Sequence, residues 1–198
     1  MKSWFRRFGY VALIAAVGCA SASGGESKSK ESLAFPESTV DAGAPRFLRG
    51  DAADVAASAG PNDWILIAEK EESANWVVRA YVHKGENAEN WTEQVTYMNT
   101  GKPADPPADF ASLQRANLVK KCPGASWKMI SHSNSDVVYE SKIAGCASMT
   151  DQDSITRAIY GSDNLFMVTY VAKGKDLAPE KRAQAYRLLS EFQLRPAS

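Results

Sequence analysis

The stretch ITRAIYGSDNLFMVTYV, Ile155 to Val171, decides the fold. Ile155 to Tyr160 and Leu165 to Val171 are rich in β-branched and aromatic residues, and Gly161-Ser162-Asp163-Asn164 between them is turn-forming, so the stretch predicts a β-hairpin. Working outward, Ser126 to Ser131 alternates, with Trp127 and Met129 on one face. It turns near Ser133-Asn134 and returns through Val137-Val138-Tyr139 to Ile143, a second hairpin. Further upstream, Trp64-Ile65-Leu66-Ile67-Ala68 is a continuous apolar run after Pro61-Asn62-Asp63, which reads as a strand buried on both faces. Trp76 to His83, WVVRAYVH, is its partner, with Glu71, Glu72, Ser73 and Asn75 in the turn.

Helical patterns fill the gaps. Asn90-Trp91-Thr92-Glu93 has the form of a capping box, and Trp91, Val95 and Met98 follow at i, i+4 and i+7 before Gly101, which predicts a helix. After the Pro-rich KPADPPAD, Asp105 is placed to cap and Pro106 or Pro107 to open a second helix. It runs through Phe110, Leu113 and Leu118 to Lys120-Lys121. Pro179 to Phe192 predicts a closing helix with Ala185, Leu188, Leu189 and Phe192 toward a core. The sum is about six mainly antiparallel strands with helices packed on the sheet, a single α+β domain over residues 61–195.

The bulk numbers agree with one ordinary domain. Of 198 residues, 44% are hydrophobic and 23% charged, too apolar for a disordered chain. Once a leader and a linker are set aside, roughly 130–140 residues remain, enough for an independent core. Lys+Arg and Asp+Glu both number 23, so no basic excess is available to neutralise phosphates, which argues against a nucleic-acid partner.

The amino terminus reads as an address. Lys2, Arg6 and Arg7 form a positive region, and Tyr10 to Gly18 an apolar run. At about nine residues that run is far below the roughly 20 needed to span a bilayer, so it reads as the apolar region of a signal peptide. Ala16-Val17-Gly18-Cys19 then resembles the lipobox of bacterial lipoproteins, with Ala16 where that motif usually has Leu. The resemblance implies a signal peptide over 1–18 and a lipid on Cys19 as membrane anchor. Because Ala20 follows, it also implies the outer membrane of a Gram-negative cell, with the domain toward the periplasm. Two alternatives stay open: cleavage after Ala20-Ser21-Ala22, giving a soluble periplasmic protein, and an uncleaved anchor. Residues 19–60, with SASGGESKSKES near their start, read as a flexible tether; Phe47, Leu48 and Val55 are the residues able to add a docked turn.

Three cysteines are an odd count for an oxidising compartment. Assigning Cys19 to lipid leaves Cys122 and Cys146 to form a disulfide, the alternative being two buried thiols. His83 and His132 stand at no metal-ligand spacing from them, so no metal and no cofactor is expected.

The order of elements, a hairpin, helices, two hairpins and a closing helix, resembles the PsbP-like fold of photosynthetic accessory proteins. The stretch HKGENAENWTEQVTYMN, His83 to Asn99, is similar to segments of small exported Gram-negative proteins. What the resemblance implies is an accessory or binding role without an active site.

No G-x-S-x-G, H-E-x-x-H or P-loop occurs. His83 at a strand end and His132 at a hairpin turn read as solvated residues, the alternative being the bases of an unrecognised hydrolase. Glu69, Glu71 and Glu72 read as solvated carboxylates, and Asp151, Asp153 and Asp163 lack the spacing of a calcium loop. Most aromatics belong to a core; Trp91, at a helix entrance, and Tyr97 are the candidates for a binding groove. The expectation is thus a non-catalytic envelope lipoprotein that serves another envelope component, in the first place a protein partner, as an accessory or binding module. The alternative is a periplasmic carrier of a small lipid, glycan or peptide.

Overall fold

In the computed structural model the described residues are 31–36, 46–49, 59–60, 62–73, 76–147, 149–174 and 176–196. They form, in chain order, β1 (Glu31–Ala34), β2 (Phe47–Leu48), β3 (Trp64–Ser73), β4 (Trp76–His83), β5 (Glu93–Gly101), α1 (Pro107–Lys121), β6 (Ser126–His132), β7 (Asp136–Ile143), β8 (Gln152–Tyr160), β9 (Asn164–Lys173), α2 (Pro179–Ser190) and β10 (Gln193–Pro196). The α+β class holds, but the described residues carry ten strands where about six were expected.

The three expected hairpins all form: β3–β4, β6–β7 and β8–β9 are antiparallel pairs. The eight-stranded sheet has the order β2-β3-β4-β5-β9-β8-β7-β6. It consists of two antiparallel meanders, β3 to β5 and β6 to β9, which meet where β5 pairs with β9. Helix α1 carries the chain from β5, at the centre, to β6, at the far edge. The β8–β9 turn closes as expected, Gly161 N–H donating to the Asn164 carbonyl at 2.9 Å.

One helix covers each face. Ala185, Leu188 and Leu189 of α2 pack with Val95, Tyr97, Ile155, Val168 and Tyr170 on one side of the sheet. Phe110 and Ala111 of α1 pack with Met98, Val137, Ala158 and Met167 on the other. Strands β8 and β9 are therefore buried on both faces; in β9 this matches a run from Leu165 to Ala172 interrupted only by Thr169, whereas β8 also buries Asp153, Ser154 and Thr156.

The stretch expected to be a helix from Asn90 is instead β5, paired with β9 along Glu93 to Gly101 and with β4 along Gln94 to Asn99. Its alternate residues point to different helices: Val95 and Tyr97 toward α2, Met98 toward α1. Because β5 is buried on both faces it carries apolar residues on each, and Val95 and Met98 together with Trp91, which precedes the strand, fall at i, i+4 and i+7 without helical periodicity. Asp105 does not cap α1; Pro106 holds the cap position, with no side-chain hydrogen bond, and a proline fills the first turn.

The segment 19–60, expected as a tether, contributes three pieces to the folded body. β1 pairs antiparallel with β10, Leu33 opposite Leu194. β2 adds to β3 in parallel, Phe47 opposite Trp64. Phe35 and Phe47 then close an aromatic cluster with Tyr81, Tyr97 and Phe192, centroids 5.1–5.7 Å apart. Asp63 ties down the pieces at residues 46–49 and 59–60: its buried carboxylate accepts N–H bonds from Arg46 and Gly60 and pairs with the Arg46 guanidinium. Burial alone would push Asp63 up, but Arg46 and the two amides hold it below its ordinary range. Val55, Cys19 and the 1–18 leader lie outside the described residues.

Phe192 faces the core as expected but sits past the end of α2, just before β10. Below it, the Arg157 guanidinium donates to the carbonyls of Leu189, Ser190 and Phe192 and to Asp136. One cation from the sheet thus caps the orphan carbonyls at the end of α2. The Cys122–Cys146 disulfide forms, with Cα atoms 5.7 Å apart. It joins the end of α1 to the β7–β8 connection, where Leu118, Ile143 and Met149 pack around it.

A polar pocket beneath helix α1

The face of the sheet toward α1 changes character along its strands. Under the first turns of α1 it is apolar, with Met98, Met167, Ala158 and Val137. Two residues further along each strand, a row of aligned positions reads Thr96, Thr169, Thr156 and Tyr139 across β5, β9, β8 and β7. The next row reads Gln94, Val171, Ser154, Ser141 and Trp127. Gln94, Thr96, Ser154, Thr156 and Thr169 are all buried. A helix-covered face of central strands normally carries aliphatic residues, so two polar rows here require an explanation.

Part of the explanation is internal pairing. The hydroxyls of Thr156 and Thr169 lie 3.0 Å apart, and those of Ser141 and Ser154 2.8 Å. Tyr139, whose hydroxyl is pushed up by burial, is hydrogen-bonded to Thr156. The remainder surrounds a partly open pocket of about 80 Å³, roofed by Gln114, Asn117 and Leu118 of α1. Three residues of its wall carry a buried polar atom with no partner: Gln114 Nε2, Trp127 Nε1 and Gln152 Oε1. Gln114 is only 9% exposed. Left unmatched, such a group costs about 1–3 kcal/mol. Trp127 stacks on Tyr139 with centroids 5.5 Å apart, and the Arg115 guanidinium lies 6.0 Å from its ring. Among the described residues, no charged side chain lines the pocket.

The two aromatics singled out from sequence lie elsewhere. Trp91 is not at a helix entrance: it is 7% exposed, packed with Val82 and Val171, with the Lys173 ammonium 5.3 Å from its ring. Tyr97 is 5% exposed in the cluster beneath α2, with Phe35 and Arg79 beside it. They occupy opposite faces of the sheet and share no groove. Trp127 and Tyr139, read from sequence as alternating hairpin residues, are the aromatic pair at the pocket. Gln114 and Gln152 gave no signal, because a glutamine in a helix or strand reads as solvent-facing until its cover is known.

A second polar cluster lies on the α2 side. The His83 ring stacks on Trp64 at 4.0 Å, and its Nε2 lies 3.1 Å from Glu93. Lys181 of α2 pairs with Glu93 at 3.0 Å. His83 is thus half-buried and engaged, not freely solvated, whereas His132 is exposed at the end of β6. The cavity around this cluster, about 360 Å³, is lined among the described residues by no serine, threonine or cysteine. The hydrogen bond from His83, with those from Lys181 and the Tyr170 hydroxyl, holds the Glu93 carboxyl at about 2 against an ordinary 4.5, in spite of burial. A depressed carboxylate contributes stability above its unfolded value and loses it as pH falls through the folded one. The protein therefore loses roughly 2–3 kcal/mol through Glu93 alone between about pH 5 and pH 2. Denaturant midpoints measured across that range show the loss, and Glu93→Gln flattens it; an unchanged acid limb would refute the assignment.

The remaining carboxylates are engaged separately. Glu69 bridges Arg79 and Arg49, Asp153 accepts from Arg182 and the Leu177 N–H, and Asp151 accepts from the Gly145 N–H. Among the described residues no three His, Cys, Asp or Glu side chains group as a metal site would require. Nor, among them, is any helix long and apolar enough to cross a membrane.

No protein-family model matches the chain, and no curated protein does. Among solved structures, it is similar to the Ran-binding protein Mog1p of Saccharomyces cerevisiae. The match has 9% identity and a TM-score of 0.43, over 63% of this chain and 81% of that one. A likeness at that level carries no argument about function.

Proposed function

We propose that the protein is a non-catalytic, lipid-anchored module of the bacterial envelope that binds another envelope component through the pocket beneath α1. The observation that carries this reading is the set of buried, unpaired polar atoms on Gln114, Trp127 and Gln152 around one small cavity. Natural interiors leave few such groups, and three around one opening mark a place where a partner supplies the missing hydrogen bonds. The anchor rests on the lipobox-like Ala16 to Cys19 and places the module at the membrane. The runner-up, a small-ligand carrier, draws on the same cavity. Its volume of about 80 Å³ admits a chemical group and not a whole lipid tail or peptide, which favours the docking module.

The test is cross-linking in intact cells from a photoreactive residue at Asn117, on the pocket roof, followed by isolation and mass spectrometry. The expected result is one dominant envelope component, with an amino-terminal peptide that starts at an acylated Cys19. Recovery of the protein alone overturns the docking reading. An unmodified peptide starting at Ser23 overturns the anchor.

A further inference from the structure

Building on the pocket as a binding site, we infer that it recognises a neutral acetamido group, presented by an N-acetylated amino sugar of an envelope glycan. Gln114 Nε2 and Trp127 Nε1 are donors, and Gln152 Oε1 is an acceptor. An acetamido group is their complement: its carbonyl oxygen accepts two hydrogen bonds and its single N–H donates one.

The rest of the wall chooses between this group and a bare hydroxyl, which offers the same count. Leu118, Ile143 and Val171, with the Trp127 and Tyr139 rings, give the otherwise polar wall an apolar lining on one part. A hydroxyl would leave that lining uncovered, whereas the acetamido methyl packs against it. Size is compatible: the pocket, about 80 Å³ and partly open, is small, and an acetamido group has only four heavy atoms. Charge agrees as well. With no Asp or Glu in the wall among the described residues, the protonated amine of a de-acetylated sugar would be buried without a counter-ion. A side-chain amide of a peptide has no terminal methyl and brings a second N–H, for which the wall has no further unpaired acceptor among the described residues.

The experiment follows the indole Nε1–H resonance of Trp127 in the ¹⁵N-labelled full chain, held in detergent and assigned by Trp127→Phe. The probes are an N-acetylglucosamine tetramer, the matching glucosamine tetramer and a capped glutamine peptide. The expected result is a saturable shift with the N-acetylated tetramer, at least tenfold weaker or absent with the other two. In Gln152→Leu, which removes the acceptor and leaves the reporting tryptophan, binding weakens at least tenfold. Equal shifts with both tetramers, a preference for the peptide, or no shift with any probe overturns the inference. Capture of a protein partner in cells together with a silent Trp127 leaves the docking module standing and removes the sugar. Sugar binding without any captured partner does the reverse.

Discussion

Phe192→Ala unfolds with roughly 3–5 kcal/mol less free energy than the parent chain, a loss of about 10–20 °C in Tm. Phe192 is 0% exposed, and its ring meets Phe35 and Phe47 at 5.5 and 5.6 Å. Those two rings belong to segments that precede β3, so truncation at 192 undermines pieces of chain far apart in sequence. A cavity at such a meeting point cannot collapse without moving β1 or β2, which places the cost toward the upper part of the range. The control is Leu113→Ala on the outer side of α1, where the residue is 39% exposed and the change stays within about 0.5 kcal/mol. Urea denaturation of the two variants beside the parent decides the matter. Equal midpoints would show that the amino-terminal segments are not docked as described.

Loss of the Cys122–Cys146 bridge is the second large effect, about 3.5 kcal/mol in the chain-entropy estimate for a loop of 24 residues. The cost falls unevenly. Helix α1 buries only Pro107, Phe110, Ala111 and Gln114 among its fifteen residues, all in its first half. Its second half relies on Leu118 and on Cys122 at its end, fixed to the β7–β8 connection. In the Cys122→Ala, Cys146→Ala double variant, amide exchange therefore speeds up along Leu118 to Lys121 more than in β8 or β9. Because Gln114, Asn117 and Leu118 roof the pocket, Trp127 fluorescence shifts to the red in the same variant. Uniform acceleration across the domain, with Trp127 unchanged, would mean that the bridge serves the fold as a whole and not the roof.

The sheet was legible in sequence wherever strands follow simple rules. Ile155 to Val171 and Ser126 to Ile143 each join β-rich runs through a polar turn, and both become hairpins. β5 was not legible because it carries apolar residues on both faces: Gln94-Val95-Thr96-Tyr97 alternates, but Met98 breaks the alternation, and Trp91, Val95 and Met98 offered a helical spacing instead. β1, β2 and β10 escaped for another reason. They have four, two and four residues, too few to show a period, and their strand character comes from partners far along the chain.

The pairing of β1 with β10 also sets a distance. With the anchor proposed at Cys19 and β1 starting at Glu31, only residues 20–30 separate lipid from folded body, and fully extended they reach at most about 40 Å. A leash of the full 19–60 segment would allow several times that. Under the proposed anchor, the short one would hold the domain, and anything it binds, within a few nanometres of the bilayer. Lengthening this stretch with Gly-Ser repeats would extend that range without touching the pocket.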